Sequence, residues 1–311
     1  MKIARTLIIA AALMAAGVTI AVPARAQDDR DDRSEARATS KLDTTVTISK
    51  DGTVDLRLIS GEIIVNAGSG NQVRIHAWSE RGVLEFSASP SRVSLDVRSQ
   101  RGRMGDTRYE VTVPVGVRLE LKSVSGDITT HGVAGELEAG AVSGDIDISD
   151  ATGRVELQSV SGDVKADRVS GEVRVDVVSG DVTVSNVAGT LEVETVSGEM
   201  SIEAAKLSSL RSETVSGELT YEGSLDPAGR YEFHSQSGDI RLRIPASAGG
   251  SVRVETFSGS VDSDFPMTMQ PGEHGMGERP RRLEFTFGRG GSRITAETFS
   301  GDINIEKAGT P

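Results

Sequence analysis

Four consecutive segments decide the fold: SGDITTHGVAGELEAGAV at residues 125–142, SGDIDISDATGRVELQSV at 143–160, SGDVKADRVSGEVRVDVV at 161–178 and SGDVTVSNVAGTLEVETV at 179–196. Each segment has the same length and begins with Ser-Gly-Asp, so the tripeptide recurs at a constant spacing. A period of about 20 residues is typical of a repeat array, in which each unit buries its apolar side only by stacking on the next unit.

The repeat continues beyond these four segments with small changes in length. Further copies begin at Ser197, Ser216, Ser237, Ser258 and Ser300. An earlier copy, Ser60-Gly61-Glu62, lies outside the regular run. Because the gap from Ser258 to Ser300 is twice the gap from Ser237 to Ser258, the sequence predicts that one copy of the motif is missing within it.

Each regular segment divides into two nine-residue units that carry three apolar columns. The columns begin at Val124, Ile128 and Thr130 and recur once in every unit as far as Val196, Met200 and Ile202. The second and third columns lie two residues apart, which is the alternation of a strand with one buried face. β-Branched residues dominate them, as expected for a pleated, half-buried surface. The sequence therefore predicts an all-β, single-chain β-solenoid (a β-helix) with about 18–21 residues per coil.

The remaining sequence suggests how such a solenoid begins and ends. Residues 42–121 are rich in strand patterns but irregular, and we expect them to form an N-terminal cap, because an open edge of unpaired backbone groups would promote aggregation. Residues 122–261 form the regular solenoid, and 262–282, rich in Pro, Gly and Met, are predicted to be a mobile loop. Residues 283–311 are predicted to form the final coil and the C-terminal tail.

The N-terminus has the features of an export signal. Lys2 and Arg5 precede an apolar stretch from Leu7 to Val22, and Ala24-Arg25-Ala26 supplies small residues before a cleavage site at Gln27. That stretch is shorter than the about 20 residues of a membrane-spanning helix. We therefore predict a signal peptide at residues 1–26, no transmembrane helix in the mature chain, and a periplasmic, cell-surface or extracellular location.

Two further features bear on the mature chain. Residues 27–41 are charged and hold no apolar residue larger than alanine before Leu42, so they are predicted to be a disordered spacer. The chain contains no cysteine, which excludes disulfides and a lipid anchor attached through an N-terminal cysteine. Stability must then come from backbone ladders and the apolar stack.

The residues around the repeats resemble a known family. The stretch VTVPVGVRLEL at 111–121 leads into SVSGDI at 123–128, and ETFSGDI stands at 297–303. These stretches are similar to a family of secreted bacterial β-strand-repeat domains of unknown function, catalogued as putative adhesins. The resemblance covers residues 42–306 and implies a β-solenoid fold and export. It implies no established activity, cofactor or catalytic residue.

The charge is strongly acidic and unevenly spread. The chain carries a formal net charge of −12, and residues 127–222 hold 19 acidic against 6 basic side chains. Such a surface disfavours nucleic acid and anionic membranes as partners. The partner expected is instead an envelope protein or a surface polymer, and the irregular ends favour a monomer.

Two groups of residues are candidates for metal binding. The first is the acidic position of the repeat: Asp127, Asp145, Asp163, Asp181 and Glu199. Stacked carboxylates about 4.8 Å apart repel each other by roughly 0.9 kcal/mol in water, so either calcium ions or hydrogen bonds within each turn must offset that cost. The turn hydrogen bonds are the preferred interpretation, because the motif fits turn chemistry without a metal.

The second group lies in the predicted loop and consists of Met267, Met269, His274 and Met276. Thioethers and an imidazole suit a soft ion such as Cu(I). The alternative is a flexible loop whose methionines lie against the side of the solenoid. No cofactor other than these two ions is indicated.

The sequence offers little support for catalysis. The histidines are isolated, the repeated serines are turn residues, and Trp78 is the single tryptophan available to a sugar-binding groove. We therefore predict an exported, non-enzymatic scaffold that acts in adhesion or in protein or polymer interaction at the cell envelope. The alternatives are a carbohydrate-active β-helix lyase or hydrolase with paired carboxylates, and a calcium-stabilised repeat module.

Overall fold

The computed structural model describes residues 40–99, 105–266 and 281–308, all within the compact unit Arg37–Pro311. The described residues form strands and turns without any helix, which confirms the all-β prediction. The predicted signal peptide at 1–26 lies outside the described residues. The strands are Ser40–Thr47 (β1), Thr53–Gly68 (β2), Gln72–Ser79 (β3), Gly82–Ala88 (β4), Arg92–Ser99 (β5), Thr107–Pro114 (β6), Arg118–His131 (β7), Ala134–Ser143 (β8), Ile146–Ser149 (β9), Thr152–Ser161 (β10), Val164–Asp167 (β11), Ser170–Ser179 (β12), Val182–Ser197 (β13), Met200–Ser216 (β14), Leu219–Gly223 (β15), Arg230–Ser237 (β16), Ile240–Pro245 (β17), Gly250–Ser258 (β18), Val261–Ser263 (β19), Arg281–Phe287 (β20), Ser292–Ser300 (β21) and Ile303–Ala308 (β22).

The strands form two parallel ladders joined at every repeat. The first ladder contains, in spatial order, β2, β7, β8, β10, β12, β13, β14, β16, β21 and β18. The second contains β2, β7, β9, β11, β13, β14, β15, β17, β22 and β19. The chain passes from the first ladder to the second through Ser-Gly-acid, and returns one strand further along. Both ladders are consequently in register along the repeat.

Glycine holds this register at the crossing from the first ladder to the second. Gly162 has φ = 141°, and a Cβ added to it would lie 2.2 Å from the carbonyl oxygen of Gly144 in the neighbouring repeat. Gly171, in the other half of the same repeat, has φ = 124° and would meet Gly153 O at 2.1 Å. Any side chain at either position would overlap the backbone beneath it, and the positive φ further favours glycine.

The return from the second ladder to the first is built differently. There Gly132, Asp150, Arg168 and Asn186 occupy the same position of successive repeats, with φ of 71°, 56°, 52° and 54°. These residues have left-handed backbone conformations that Asn and Asp tolerate better than most residues. This second corner also absorbs insertions: the one extra residue before Ser216 is accommodated by bulges between β13 and β14, after which Ser197 pairs with Ser216 in register.

The core lies between the two ladders. In one repeat its inward side chains are Val155, Leu157, Ser159, Val164, Ala166 and Val169, all at most 1% exposed. In the longer repeat that begins at Ser216, aromatic rings fill the larger interior, and Tyr221 lies 5.9 Å from Tyr231 and 5.5 Å from Phe233 between ring centroids. The larger side chains thus lie in the longer repeat, as close packing requires.

The interpretation of the first apolar column as one uniform column is wrong. Its members alternate: Val133 and Ala151 are buried, whereas Val124 and Val142 are 44% and 49% exposed. The left-handed residue at the second corner turns the chain within two residues and directs Val133 inward. At the Ser-Gly-acid crossing the strand alternation continues instead, so that Ser123 points inward and Val124 outward.

The N-terminal end extends the ladders further than the sequence suggests. Ser60-Gly61-Glu62, which lies outside the regular run in sequence, pairs residue by residue with Ser125-Gly126-Asp127. Residues between β2 and β7 form the end of the stack: β5 and β6 pair with the outer edge of β2, and β3 lies antiparallel between β6 and β1. Ser40 and Lys41, predicted to be spacer, begin β1, so the spacer prediction is wrong for these two residues.

The C-terminal end departs from sequence order. Strands β21 and β22, predicted as the final coil, lie between the repeat of β16–β17 and the repeat of β18–β19. The outermost parallel strand of the first ladder is therefore β18, and β20 pairs with it in antiparallel orientation. The predicted loop 262–282 is too long, since Asp262 and Ser263 belong to β19 and Arg281 and Arg282 to β20.

The glycine stacking predicts a large effect of a single methyl group. Gly162→Ala is expected to lower the free energy of unfolding by more than about 2 kcal/mol, because the new Cβ overlaps Gly144 O and the backbone stays left-handed. Chemical denaturation followed by circular dichroism measures it. The matched control is Gly140→Ala, where the nearest atom to an added Cβ is Gln158 O at 4.0 Å. An equal effect of both changes would contradict the stacking argument.

Candidate functional site

The crossing between the ladders presents the same four residues in every regular repeat. We call it the Ser-Gly-Asp corner and define it by an outward residue, Ser, Gly and an acid, as in Val160-Ser161-Gly162-Asp163. Flanking residues pair in register from strand to strand, as Ser161 does with Ser143 and Ser179. The corner therefore lines up equivalent side chains about 4.8 Å apart along the stack.

The carboxylates of the corner form a chain of hydrogen bonds between repeats. Asp127 Oδ1 accepts from Asp145 N at 2.9 Å, and the same bond recurs from Asp145 to Asp163 and from Asp163 to Asp181 at 2.9 Å each. It continues from Asp181 to Glu199 N at 2.8 Å. At the C-terminal end Asp239 Oδ1 accepts from Asp302 N at 2.8 Å, and Asp302 Oδ1 from Ser260 N at 2.7 Å.

This arrangement corrects one detail of the sequence interpretation. The carboxylates are hydrogen-bonded as turn residues, but the donor is the backbone N–H of the next repeat rather than of their own turn. A carboxylate accepting a backbone N–H gains a charge-assisted bond, and this offsets the repulsion between neighbours without a metal ion. Calcium at the carboxylate row remains a prediction.

The charges of the corner carboxylates are not neutralised by ion pairs. Among the described residues, Asp127, Asp145, Asp163, Asp181 and Glu199 form none, and Glu218 is the first of the row to pair with a cation, Arg241. The outer side of the first ladder is different: Arg174 contacts Asp176 at 3.0 Å, Glu192 at 2.7 Å and Glu194 at 3.2 Å. A row of uncompensated negative charge thus runs along the corner.

The pKa shifts on the outer side of the first ladder follow from this ion-pair network. Hydrogen bonding to Asp176 raises the pKa of the Arg174 guanidinium, with Glu192 and Glu194 adding to it. Burial raises the pKa of the Glu194 carboxyl, and the like charges of Asp176 and Glu213 act in the same direction. The network therefore stabilises a crowded acidic surface and engages Arg174 away from the corner.

A column of apolar side chains, some exposed and some half-buried, flanks the acidic row, and sequence reasoning missed it. The column, which we call the corner stripe, contains Val124, Val142, Val160, Val178, Val196, Val215, Phe299 and Phe257 in spatial order, with Gln236 between Val215 and Phe299. Phe257 and Phe299 are 53% and 59% exposed, and their rings stack at 4.9 Å with an interplanar angle of 3°. The signal available in the sequence was the even spacing of an apolar residue before every Ser-Gly of the corner except Ser237-Gly238, which follows Gln236.

The second group of candidate ligands, Met267, Met269, His274 and Met276, lies outside the described residues. Within the described part of the chain, no group of three or more His, Asp or Glu side chains is arranged to hold a metal ion. The three described histidines have separate partners, namely Asp43 for His76 at 3.7 Å, Ser149 for His131 at 2.5 Å and Glu297 for His234 at 3.4 Å.

A cavity of about 320 Å³ opens on the outer side of β18, β20 and β21. Its lining includes Ser251, Arg253, Arg293 and one carboxylate, Glu284, which pairs with Arg253 at 2.7 Å. Glycoside hydrolysis generally requires two carboxyl groups on opposite sides of the bond. The cavity supplies one, and that one is engaged in an ion pair.

The carboxylate chain predicts different effects for two substitutions of Asp163. Asp163→Ala removes the acceptor for Asp181 N and is expected to lower the free energy of unfolding by about 1 kcal/mol. Asp163→Asn keeps an oxygen acceptor and removes one repelling charge, so its stability should equal or exceed that of the unchanged protein. Thermal unfolding with calcium and with chelator completes the test, because a calcium-dependent rise that Asp163→Asn abolishes would assign the row to metal instead.

At acidic pH, the stability of the fold should depend on carboxyl groups whose pKa values are lowered in the folded protein. Hydrogen bonds from Ser260 lower the pKa of Asp302, hydrogen bonds from Asn186 and Ser185 lower that of Asp167, and Arg168 lowers that of Asp150. A carboxyl group whose pKa is lower in the folded than in the unfolded protein stabilises the fold fully at pH values above its unfolded pKa. This stabilisation is lost as the pH falls through the folded pKa. Unfolding temperatures should therefore drop between about pH 4 and pH 2. Asp302→Asn should reduce the drop, and Asp106→Asn, whose exposed carboxylate has no hydrogen bond among the described residues, should leave it unchanged.

Comparison with known proteins gives a family but no activity. No curated protein matches the sequence. A solved structure described as a putative adhesin from Parabacteroides distasonis is 8% identical, with a TM-score of 0.48, covering 86% of this chain and 98% of its own. A putative adhesin from Bacteroides fragilis is 11% identical, with a TM-score of 0.41 and coverage of 86% and 97%. A putative lipid binding protein from P. distasonis is 9% identical, with a TM-score of 0.35 and coverage of 86% and 97%.

These structural similarities are too low to carry an argument about function. The family pattern of the Toastrack domain of unknown function, DUF4097, matches residues 102–306, which include every regular repeat. The match agrees with the resemblance drawn from the repeat residues. The chain belongs to the Toastrack (DUF4097) family.

Proposed function

We propose that this protein is an exported, non-enzymatic β-solenoid scaffold that acts in adhesion or other interaction at the cell envelope. Its partner in this proposal is an envelope protein or a surface polymer that contacts several repeats at once. One observation carries the proposal: equivalent side chains recur in register on consecutive strands, as Ser161 does with Ser143 and Ser179, and the exposed acids that follow them, such as Asp163 and Asp181, recur with the same spacing. Such a surface offers many equal contacts rather than one reactive centre.

The pairing of the strands supports the solenoid. Strand β10 pairs with β8 and β12, the equivalent strands of the preceding and following repeats, and β11 pairs with β9 and β13 in the same way. A chain that advances by one strand in each ladder per repeat describes a coil, and the coil is one repeat long. Antiparallel strands at the ends, β20 on the first ladder and β3 beyond β6, favour a monomer over end-to-end assembly.

The absence of a reactive arrangement among the described residues supports a non-enzymatic role. The cavity beside β18 holds a single, ion-paired carboxylate, and the described histidines lie in three separate places. The corner carboxylates of Asp127, Asp145, Asp163 and Asp181 accept the same hydrogen bond, so none of these four is distinguished as an acid or a base. Catalytic groups are normally set apart by unlike environments.

Export is proposed from the N-terminal sequence. Positive residues, an apolar stretch and Ala24-Arg25-Ala26 have the order of a secretory signal. Among the described residues there is no helix long and apolar enough to span a membrane. The acidic surface is also suited to a partner of positive or neutral character rather than to nucleic acid.

The proposal is tested by measuring binding of the purified chain from Gln27 onward to envelope fractions of a producing bacterium. We expect saturable binding that unlabelled protein displaces and that heat-unfolded protein does not show. Asp145→Asn/Asp163→Asn should weaken it, while Asp51→Asn/Asp106→Asn, which removes two charges from the N-terminal end, should not. Non-saturable binding, or release of reducing sugar from envelope polysaccharide, would contradict a non-enzymatic scaffold.

A further inference from the structure

The corner stripe is an apolar surface that the fold leaves partly uncovered. Val124, Val142 and Val215 are 43–49% exposed, and Phe299 and Phe257 more than half, whereas Val160, Val178 and Val196 are half-buried. Single exposed apolar side chains are ordinary on a protein surface, but a column of partly exposed apolar side chains along one edge indicates an interaction site. The residues before and after each of Val142, Val160 and Val178 pair with the neighbouring strands, as Ser159 and Ser161 do on either side of Val160, so the column is held in order before any partner binds.

The charge beside the stripe determines the kind of partner. The acids of the corner stand three residues after the stripe residues, and those from Asp127 to Glu199 have no ion pair among the described residues. Each aspartate uses Oδ1 for a backbone N–H, and it keeps its negative charge. A partner that covers the valines must therefore bring positive charge to the acidic row. A second copy of this chain would bring another acidic row against the first, which disfavours self-association through the stripe.

The spacing of side chains along the corner stripe and along the acidic row favours one backbone conformation of the partner over another. In both rows, successive side chains are about 4.8 Å apart, the distance between neighbouring strands. A helix presents one side-chain position per turn of about 5.4 Å, whereas an extended strand presents alternate side chains about every 6.6 Å. Flexible lysine and arginine side chains absorb a mismatch of about 0.6 Å per turn over four or five turns. The stripe and the acids are at most about 11 Å apart, because three residues separate them, and a helix of about 10 Å diameter spans both.

We propose that the corner stripe and its acidic row bind a cationic amphipathic helix that lies along the stack of strands. The apolar face of the helix packs on Val124 to Val215, and its basic flank faces Asp127 to Glu199. This names the partner class of the surface in the proposed function and rests on that function. A helix of about 18 residues, about 27 Å long, covers five to six repeats.

The test uses the purified mature chain and a fluorescein-labelled peptide of about 18 residues, with leucine on one face and lysine along one flank. We expect saturable binding by fluorescence anisotropy, accompanied by a gain of helical circular dichroism. A scrambled peptide of the same composition and a leucine–glutamate helix serve as ligand controls, and both should bind at least about tenfold more weakly.

Paired variants separate the apolar and the charged contributions. Val124→Thr/Val142→Thr should weaken binding about three- to tenfold, whereas Val83→Thr/Val115→Thr, which alters valines of similar exposure (42% and 56%) outside the stripe, should not. Asp145→Asn/Asp163→Asn should weaken binding and reduce its dependence on salt, compared with Asp51→Asn/Asp106→Asn. Asparagine keeps the oxygen acceptor for the next repeat, so these variants retain the fold.

Three results would overturn the inference: no binding of the amphipathic peptide, equally tight binding of the scrambled peptide, or equal losses in the control variants. Competition between the peptide and the envelope fraction for the protein shows whether both use the same surface. Saturable envelope binding that the peptide does not displace leaves the scaffold standing and removes the helix as its partner. Peptide binding without saturable envelope binding would leave the helix-binding surface standing and contradict the proposed envelope scaffold.

Discussion

The structure depends on the contact of one glycine with another at each Ser-Gly-Asp corner. Gly144 lies on Gly126 and Gly162 on Gly144, with room for neither a Cβ nor a slip of register. Since a shift of one residue would exchange the inner and outer faces of a strand, fixing the corner fixes every column of side chains along both ladders. The periodic core, the acidic row and the corner stripe are all consequences of that alignment.

Alignment has a cost that the same geometry offsets. Equal charges placed on adjacent strands repel each other, and the described residues provide no cation to the corner acids from Asp127 to Glu199. The backbone N–H of each following acid is nevertheless in place to donate to the preceding carboxylate, because the repeats are in register. At Glu218, Arg241 provides the compensation instead. Stability and surface charge thus come from one repeated interaction between neighbours, as expected for a repeat protein.

The two corners have different tasks. The Ser-Gly-Asp corner keeps the same length from repeat to repeat, whereas the second corner holds non-glycine residues with positive φ, the bulges between β13 and β14 and the extra residue before Ser216. Changes in length can therefore accumulate on one edge without disturbing the other. This separation lets the interior widen to accommodate Tyr221, Tyr231 and Phe233 while Ser216 and Ser237 still pair in register at the corner.

The sequence by itself determined the all-β class, the period of the repeat, the inward columns that begin at Ile128 and Thr130 and the stacking of the acids, since these depend only on local alternation and on glycine spacing. Only the tertiary structure decided which half of the first apolar column faces solvent, because two corners of similar sequence turn the chain differently at Gly126 and Gly132. It also decided that Ser60-Gly61-Glu62 joins the stack and that β21 lies inside β18, because these pairings connect Ser60 with Ser125 and Ser258 with Ser300, far apart in the chain. A regular spacing in the sequence predicts pairing between strands of consecutive repeats. It cannot predict pairing between strands that are separated by a long irregular segment of the chain.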